Sequence, residues 1–221
     1  SYLFAGDLLG QCIATSFGIS AYNIPLFGVY GACSTCGEAL TLGAVMAAGG
    51  YAEHVVCVTS SHFASAEKEF RFPLDYGNQR PLSASWTVTG SGAFALGLNQ
   101  KCRAHITGMT PGRITGDLGS VGQTVLIDLL REKGIDIADR HMDCGIEIFD
   151  AEAQDTHAGG SGCGCSAVTL AAYILPKLES GEWKKVLFLP TGALLSKTSF
   201  NEGKSVPGIA HAVVLESPAV K

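Results

Sequence analysis

The sequence predicts an α/β fold in which one unit occurs twice, and three observations lead to this prediction. Short apolar runs typical of buried strands alternate with helical stretches rich in small residues along the 221-residue chain. Similar segments recur in the same order in the two halves. Hydrophobic residues make up 47% of the chain and charged residues only 16%, so the chain can bury a large core. We expect mixed sheets whose central strands are covered by helices on both faces.

The duplication rests on pairs of similar segments. Each half contains a Gly-Asp-Leu motif, a helical core, a buried strand and a final apolar strand, in that order. The pairs are residues 4–10 and 114–119, 38–44 and 167–172, 54–59 and 185–190, and 92–96 and 211–215. A single pair could arise by chance, whereas several in one order indicate duplication. We therefore divide the chain into a first half (1–100), a linker or chain break (101–113) and a second half (114–221).

The elements of the first half follow from its residue types. Residues 24–32 form a strand-like run that leads into residues 34–48, a helical stretch that is almost entirely small and apolar. Two glycines then end this helix. Residues 54–59 are typical of a buried strand, and they place His62 at the C-terminal edge of the sheet, where α/β proteins usually bind ligands.

Cys33 lies where the strand-like run meets the helix. Backbone N–H groups and the helix dipole at such a position lower the pKa of a thiol and favour the thiolate. The residue is therefore a candidate nucleophile. The alternative is an inert buried cysteine, because free cysteine is among the most buried residue types.

Composition excludes several function classes. No apolar run reaches the roughly 20 residues of a membrane span, and no basic-then-apolar leader begins the sequence, so we expect a protein that is neither secreted nor membrane-spanning. Eight cysteines without secretory features favour free thiols in a reducing compartment. The net charge of −5 gives no reason to expect nucleic-acid binding.

Neither a metal nor a cofactor is expected. Cys33-x-x-Cys36 has no second pair at zinc spacing, and Cys163-Gly-Cys165 is too tightly spaced for a usual zinc site. The glycine-rich stretch 159–164 matches neither the dinucleotide-binding nor the phosphate-loop spacing, which favours a tight turn.

A family resemblance covers nearly the whole chain. It is carried by GACSTC (31–36), VTSSH (58–62), GSGAFALG (90–97), HAGGSGCGCSA (157–167) and GIAHAVVLE (208–216). These motifs resemble the thiolase and ketoacyl-synthase superfamily, which implies a thiolase-like duplicated α/β/α/β/α sandwich. The resemblance also implies a homodimer paired through the strand at residues 55–59 and its neighbours. Chains of this kind begin with a strand and a helix that are absent before residue 1, and they carry a helix-containing segment at the 113/114 junction.

Within that superfamily, the chain resembles a branch found in endospore-forming bacteria. This resemblance implies a protein that binds dipicolinic acid (pyridine-2,6-dicarboxylate) and works with other spore-uptake proteins of its operon to load that compound into the developing spore. It also implies a cytoplasmic location or a peripheral one at the spore inner membrane.

The superfamily's catalytic residues are only partly matched. Cys33 stands at the nucleophile position, and His157 lies in a glycine-rich loop like the one that carries the enzymes' histidine. Where the enzymes place a further Cys, His or Asn, residues 189–195 offer none. Acyl transfer by condensation needs such a group, so the resemblance favours a binding protein. The alternative is an acyltransferase that forms a thioester on Cys33.

The expected ligand contacts follow from the chemistry of dipicolinate, a planar aromatic dianion. It needs N–H and hydroxyl donors, a cation and an apolar wall. The donors predicted to surround it are Cys33, Ser34, Ser60, Ser61, His62, Arg71 and His157. We expect Cys33 and His157 to share one pocket. Arg71 belongs to an aromatic segment, residues 63–76, whose alternative role is a dimer interface or a surface loop.

Overall fold

Two β-sheets with helices packed between them form the core of the computed structural model, which describes residues 1–75, 79–98, 101–112 and 117–219. The strands are Tyr2–Asp7 (β1), Leu26–Gly28 (β2), His54–Ser61 (β3), Ser85–Thr87 (β4), Gly90–Gly97 (β5), His105–Gly112 (β6), Gly159–Ser161 (β7), Lys185–Phe188 (β8), Thr191–Ala193 (β9) and Gly208–Glu216 (β10). The α-helices are Ile13–Ile19 (α1), Thr35–Ala48 (α2), Phe63–Ala66 (α3), Gly119–Arg131 (α4), Cys144–Glu147 (α5), Cys163–Thr169 (α6), Leu175–Glu179 (α7) and Lys197–Asn201 (α8).

The first sheet has the order β2-β1-β3-β5 and contains only strands of the first half. β1 runs parallel to β2 and β3, whereas β5 is antiparallel to β3. Buried and partly exposed residues alternate along β3, as expected for a strand with one face on the core. Because β3 is paired on both sides, the predicted dimer strand at residues 55–59 has no open edge of its own.

The second sheet is antiparallel, with the order β6-β10-β8 and with β9 also paired to β10. β6 lies within residues 101–113, where the sequence analysis placed a linker or chain break. This part of the division needs correction, since β6 pairs with β10 from His105↔Glu216 to Gly112↔Ala210 and is part of the second half's sheet. The 113/114 junction itself lies outside the described residues.

The helix α2 lies between the two sheets, and α6 packs beside it. α2 packs on β3 and β1 and also on β10, and α6 packs on β5 and β3. Such close contact requires small residues: a Cβ atom at Gly37 would overlap the carbonyl oxygen of His211, and one at Gly92 would lie 2.8 Å from the Cβ of Ala167. With its mixed sheets, this arrangement confirms the predicted duplicated α/β sandwich. None of the described helices is long and apolar enough to cross a membrane.

The matching aspartates of the two halves have different environments. The Asp7 carboxylate accepts hydrogen bonds from the backbone N–H groups of Leu9 and Thr15 at 2.8 and 2.7 Å. Asp117, its counterpart in the duplication, is buried with neither carboxyl oxygen hydrogen-bonded to a described residue. The N–H groups at the start of α4 are bound instead by Asp143, which accepts from four backbone donors. The repeat therefore preserves the fold here but not the capping residue.

A short parallel pair, β4 with β7, joins the two halves. It aligns Ser85 with Gly159, Trp86 with Gly160 and Thr87 with Ser161. Gly160 must be small, since a Cβ atom there would contact the side chains of Val88 and Ile148. This pairing brings the glycine-rich loop of the second half against the aromatic segment of the first half.

Candidate functional site

A cavity of about 210 Å³ opens beside Cys33 at the junction of the two halves. Its walls come from the turn before α2, the segment after α3, strands β4 and β7, and the loop that follows β9. The lining residues are Leu8, Tyr30, Ala32, Cys33, Ala66, Glu67, Phe70, Arg71, Leu74, Ser85, Thr87, Ser161, Ala193 and Leu195. Mostly apolar walls with a few convergent polar groups are typical of a small-molecule site.

Cys33 sits in a 3₁₀ turn, Ala32–Ser34, that leads into α2. Ala32 has a left-handed backbone conformation with φ of 49°, which is strained for a residue with a side chain. The backbone N–H groups of Cys33 and Gly162 lie near the Cys33 sulfur and act to lower its pKa. Backbone strain of this kind is common where a fold holds a functional side chain in a fixed position.

The predicted activation of this thiol is wrong. Burial raises the pKa of Cys33 from 9.0 to about 12, and the nearby Asp117 adds to the shift. The two backbone N–H donors lower the pKa, but their effect is smaller than that of desolvation. At neutral pH Cys33 is therefore an uncharged thiol.

A π-helical turn, Glu67–Arg71, directs Glu67, Phe70 and Arg71 into the cavity. π-helical turns within helices are frequent at functional sites. The Arg71 guanidinium donates through Nε to the buried Glu67 carboxylate and through Nη2 to the carbonyl oxygen of Ser85 at 3.0 Å. It also lies 4.7 Å from the ring centroid of Trp86. These contacts fix the position of the guanidinium and leave Nη1 without a hydrogen-bond acceptor among the described residues.

The other predicted first-half donors lie outside this cavity. Ser34 is fully buried; its hydroxyl donates to the Gly31 carbonyl at 2.7 Å and contacts Nδ1 of His211 at 3.1 Å. The Ser61 hydroxyl donates to Val88 O at 2.6 Å and accepts from Gly164 N–H at 3.0 Å, so it joins the halves. The backbone carbonyl of Ser60 accepts from the Cys163 thiol at 3.0 Å. His62 is exposed and caps α3.

His157 does not share the cavity with Cys33. One ring nitrogen, Nδ1, lies 3.0 Å from the carbonyl oxygen of Pro81, and the other lies 3.2 Å from the carboxylate of Asp155. The ring also packs edge-on against Trp86, with centroids 6.3 Å apart. Both nitrogens are thus occupied, and His157 is not among the residues that line the cavity.

The sequence analysis did not predict several of the residues that line the cavity. The Tyr30 hydroxyl donates to Leu8 O at 3.1 Å, and burial, with the charge of Glu69 second, raises its pKa to about 12. Ser161 carried a usable signal: aligning residues 39–44 with 167–172 places it opposite Cys33, and both residues line the cavity. Glu67 carried no such signal, since an acidic residue in a helical segment is usually solvated.

The cavity provides few groups for proton transfer near Cys33. Among the described lining residues there is no His or Asn, and Glu67 is the one carboxylate. That carboxylate is held by Arg71 and by the Thr87 hydroxyl, which donates to it at 3.3 Å. The arrangement can hold a small polar or aromatic molecule through a guanidinium, hydroxyl groups and apolar walls, and the one carboxylate among its described lining residues is already engaged.

Comparison with known proteins identifies the family. The family model described as stage V sporulation protein AD matches residues 1–115 and 113–216. Stage V sporulation protein AD of Bacillus subtilis (strain 168) is 34% identical over an alignment of 255 positions, which spans 97% of this chain and 75% of that protein.

Solved structures agree on the fold. The 3-oxoacyl-[acyl-carrier-protein] synthase III of Aquifex aeolicus VF5 is similar with a TM-score of 0.51 and 13% identity, over 97% of this chain and 76% of that one. The corresponding synthase of Pseudomonas aeruginosa PAO1 is similar with a TM-score of 0.52 and 15% identity, over 100% and 77%. The fold is thus that of the thiolase and ketoacyl-synthase superfamily, and the chain belongs to the stage V sporulation protein AD family, which gives it a role in sporulation.

Proposed function

We propose that this protein binds dipicolinate in the cavity beside Cys33 and, with other proteins of its operon, assists uptake of that compound into the developing spore. The observation that carries the proposal is the fixed guanidinium of Arg71 in a small, mostly apolar cavity. In this proposal the protein acts in the cytoplasm or peripherally at the spore inner membrane.

The size of the cavity favours a small ligand. Pockets for drug-sized molecules are roughly 300–1,000 Å³, and this cavity of about 210 Å³ lies below that range. A single substituted ring is a better match than an acyl group on a pantetheine arm. Phe70 and Tyr30 supply aromatic surface for such a ring.

The charges also suit an aromatic carboxylate. Nη1 of Arg71 is available to donate to one carboxylate, and two hydroxyl-bearing residues, Ser161 and Thr87, line the same cavity. The raised pKa of Cys33 contributes, because a neutral thiol does not repel a dianion. Glu67 neutralises the charge of Arg71. Recognition of a ligand carboxylate therefore depends more on the hydrogen-bonding geometry of the guanidinium than on the net charge of the cavity.

The alternative function is acyl transfer through a thioester on Cys33. The left-handed Ala32 and the Gly162 N–H at the sulfur would suit a nucleophile held in place for such chemistry. The high pKa of the thiol and the distance of His157 from the cavity argue against it.

Two measurements test the proposal. Calorimetric titration with dipicolinate should show binding that Arg71→Gln weakens roughly ten- to a hundredfold, since a hydrogen bond to a charged group contributes about 1.5–3 kcal/mol. His62→Ala, a control on the adjoining helix outside the cavity, should leave the affinity unchanged. Unchanged binding by the folded Arg71→Gln variant would refute the site. Incubation with acyl-CoA followed by intact-protein mass measurement tests the alternative, which requires an adduct that Cys33→Ala abolishes.

We also propose that the protein is a homodimer that pairs through the β2 edge. β2 is an outer strand of the first sheet, and Leu26 and Phe27 are 37% and 46% exposed along it. An apolar open edge is a common site of strand pairing between chains. This differs from the sequence-based prediction of pairing through the strand at residues 55–59 and its neighbours, which in the first sheet are β1 and the edge strand β5.

A further inference from the structure

A second concavity is lined by Trp86, which is not among the lining residues of the Cys33 cavity. Its volume is about 520 Å³, and Thr87 contributes to both concavities. Its lining residues are Phe63, Arg80, Trp86, Thr87, Val88, Thr89, Phe149, Gln154, Asp155 and Thr156. Neither the family match nor the proposed function assigns it a role.

Two residues that line this concavity each carry a buried polar atom without a partner among the described residues. Thr156 is only 7% exposed, and its hydroxyl has no hydrogen-bond partner among the described residues. The indole N–H of Trp86 is also buried and unpaired. Buried polar groups almost always have a partner, and leaving one unpaired costs about 1–3 kcal/mol. Both groups can donate, so their missing partner is an acceptor atom.

The walls show what kind of molecule could supply that acceptor. Phe63, Trp86 and Phe149 give the concavity three aromatic rings, with Phe63 and Trp86 6.0 Å apart between centroids. The guanidinium of Arg80 lies 5.4 Å from the ring centroid of Trp86. It also bonds to the Asp155 carboxylate at 2.5 Å, which holds it at the rim. Aromatic walls, a cation and unpaired donors together fit a flat ring that bears a carboxylate.

We propose that this concavity is a second binding site for a planar aromatic carboxylate, separate from the Cys33 cavity. The ring packs among the three aromatic side chains, and its carboxylate accepts from Thr156 and Trp86 and faces Arg80. Arg71 of the Cys33 cavity and Arg80 of the second site both lie over the Trp86 ring, at 4.7 and 5.4 Å from its centroid. The choice of dipicolinate as the probe rests on the proposed function. The existence of the second site does not depend on the existence of a site in the Cys33 cavity.

The test uses Trp86 as a reporter. The chain has two tryptophans, so Trp183→Phe leaves Trp86 as the single fluorophore. This variant is titrated with dipicolinate and with isophthalate, by fluorescence for Trp86 and by calorimetry for stoichiometry. We expect two sites per chain. Thr156→Val, which removes the hydroxyl with little change of shape, should weaken one of them about three- to tenfold and leave the other unchanged.

Matched variants separate the two sites. Arg80→Gln should weaken the same site as Thr156→Val by about tenfold or more, whereas Arg71→Gln should weaken the other. Thr124→Val, on the exposed surface of α4, controls for the substitution itself. Arg80 is half-exposed, so its variant keeps the proposal testable if Thr156→Val does not fold.

Each outcome decides the matter. Two sites divided as described support the proposal, and a single site sensitive to Thr156 and Arg80 supports it while refuting the Arg71 site. A single site sensitive only to Arg71 overturns the second site and leaves the proposed function standing. Absence of binding by both probes overturns both.

Discussion

The reactivity of Cys33 separates binding from catalysis. Its pKa of about 12, against 9.0 for the unperturbed thiol, lowers the thiolate fraction at neutral pH by about a thousandfold. A more basic thiolate is intrinsically more nucleophilic, and with a Brønsted slope of about 0.4–0.5 over three units this recovers a factor of roughly 15–30. The net expectation is alkylation slower by about 30- to 60-fold than for an unperturbed thiol, before any restriction of access by the cavity.

The assay is alkylation by iodoacetamide between pH 7 and pH 10, followed by digestion and mass spectrometry of the Cys33 peptide. Glutathione in the same tube is the reference thiol, and the protein unfolded in denaturant should react at an ordinary rate. The logarithm of the folded-state rate should rise with a slope of about one across this range without a plateau, because the pKa lies above it. A plateau near pH 7, or a rate equal to that of glutathione, would refute this reasoning and favour the acyltransferase.

Further predictions concern stability and assembly. Burial and the charge of Asp143 raise the pKa of Asp117 well above 3.8, so its ionisation opposes folding at neutral pH. Asp117→Asn should therefore raise the melting temperature at pH 7, and this gain should shrink as the pH falls through 3.8 and vanish below about pH 3, where the carboxyl is protonated in both states. An equal gain at pH 3.5 and pH 7 would contradict this sign. Asp7→Ala removes the acceptor of buried bonds from Thr15, and chemical denaturation should show a loss of about 1–3 kcal/mol. Phe27→Glu should shift the protein from dimer to monomer in light scattering, and a dimer of unchanged stability would exclude the β2 edge.

The sequence predicted the fold class better than it predicted the bounds of the two halves. Recurring segments were sufficient to predict the fold, because duplication leaves similar sequences in the two halves. Helices that pack closely on a sheet need small residues at the contact, such as Gly37 against His211, and these residues can be recognised in the sequence. The strand β6 gave no such trace. Its sequence, HITGMTPG, contains glycine and proline, which are uncommon in strands, and pairing with β10 decides its structure.

The site was predicted in part, for physical reasons that individual residues show. Cys33 and Arg71 line the cavity, since a turn before a helix and an aromatic segment both face the sheet edge. Ser61 and His62 stand at the same edge, but a serine can equally bond to a neighbouring backbone and a histidine can cap a helix, as these do. The protonation of Cys33 could not be read from its position, because the helix-terminus effect depends on solvent access that sequence does not give. Tyr76, the last residue of the predicted aromatic segment, lies outside the described residues.

The three-residue pairing of β4 with β7 has a thermodynamic consequence for the whole chain. Few backbone bonds connect the halves at that point, yet Arg71 from one half and Ser161 from the other line the same cavity. A ligand held there would act as a non-covalent cross-link, and it would stabilise the joined state over any state in which the halves separate. Saturation at a hundred times the dissociation constant would add about 2.7 kcal/mol to that joined state. Occupancy of the cavity by the ligand could then be followed by the cooperativity with which the two halves unfold, as well as by a binding titration.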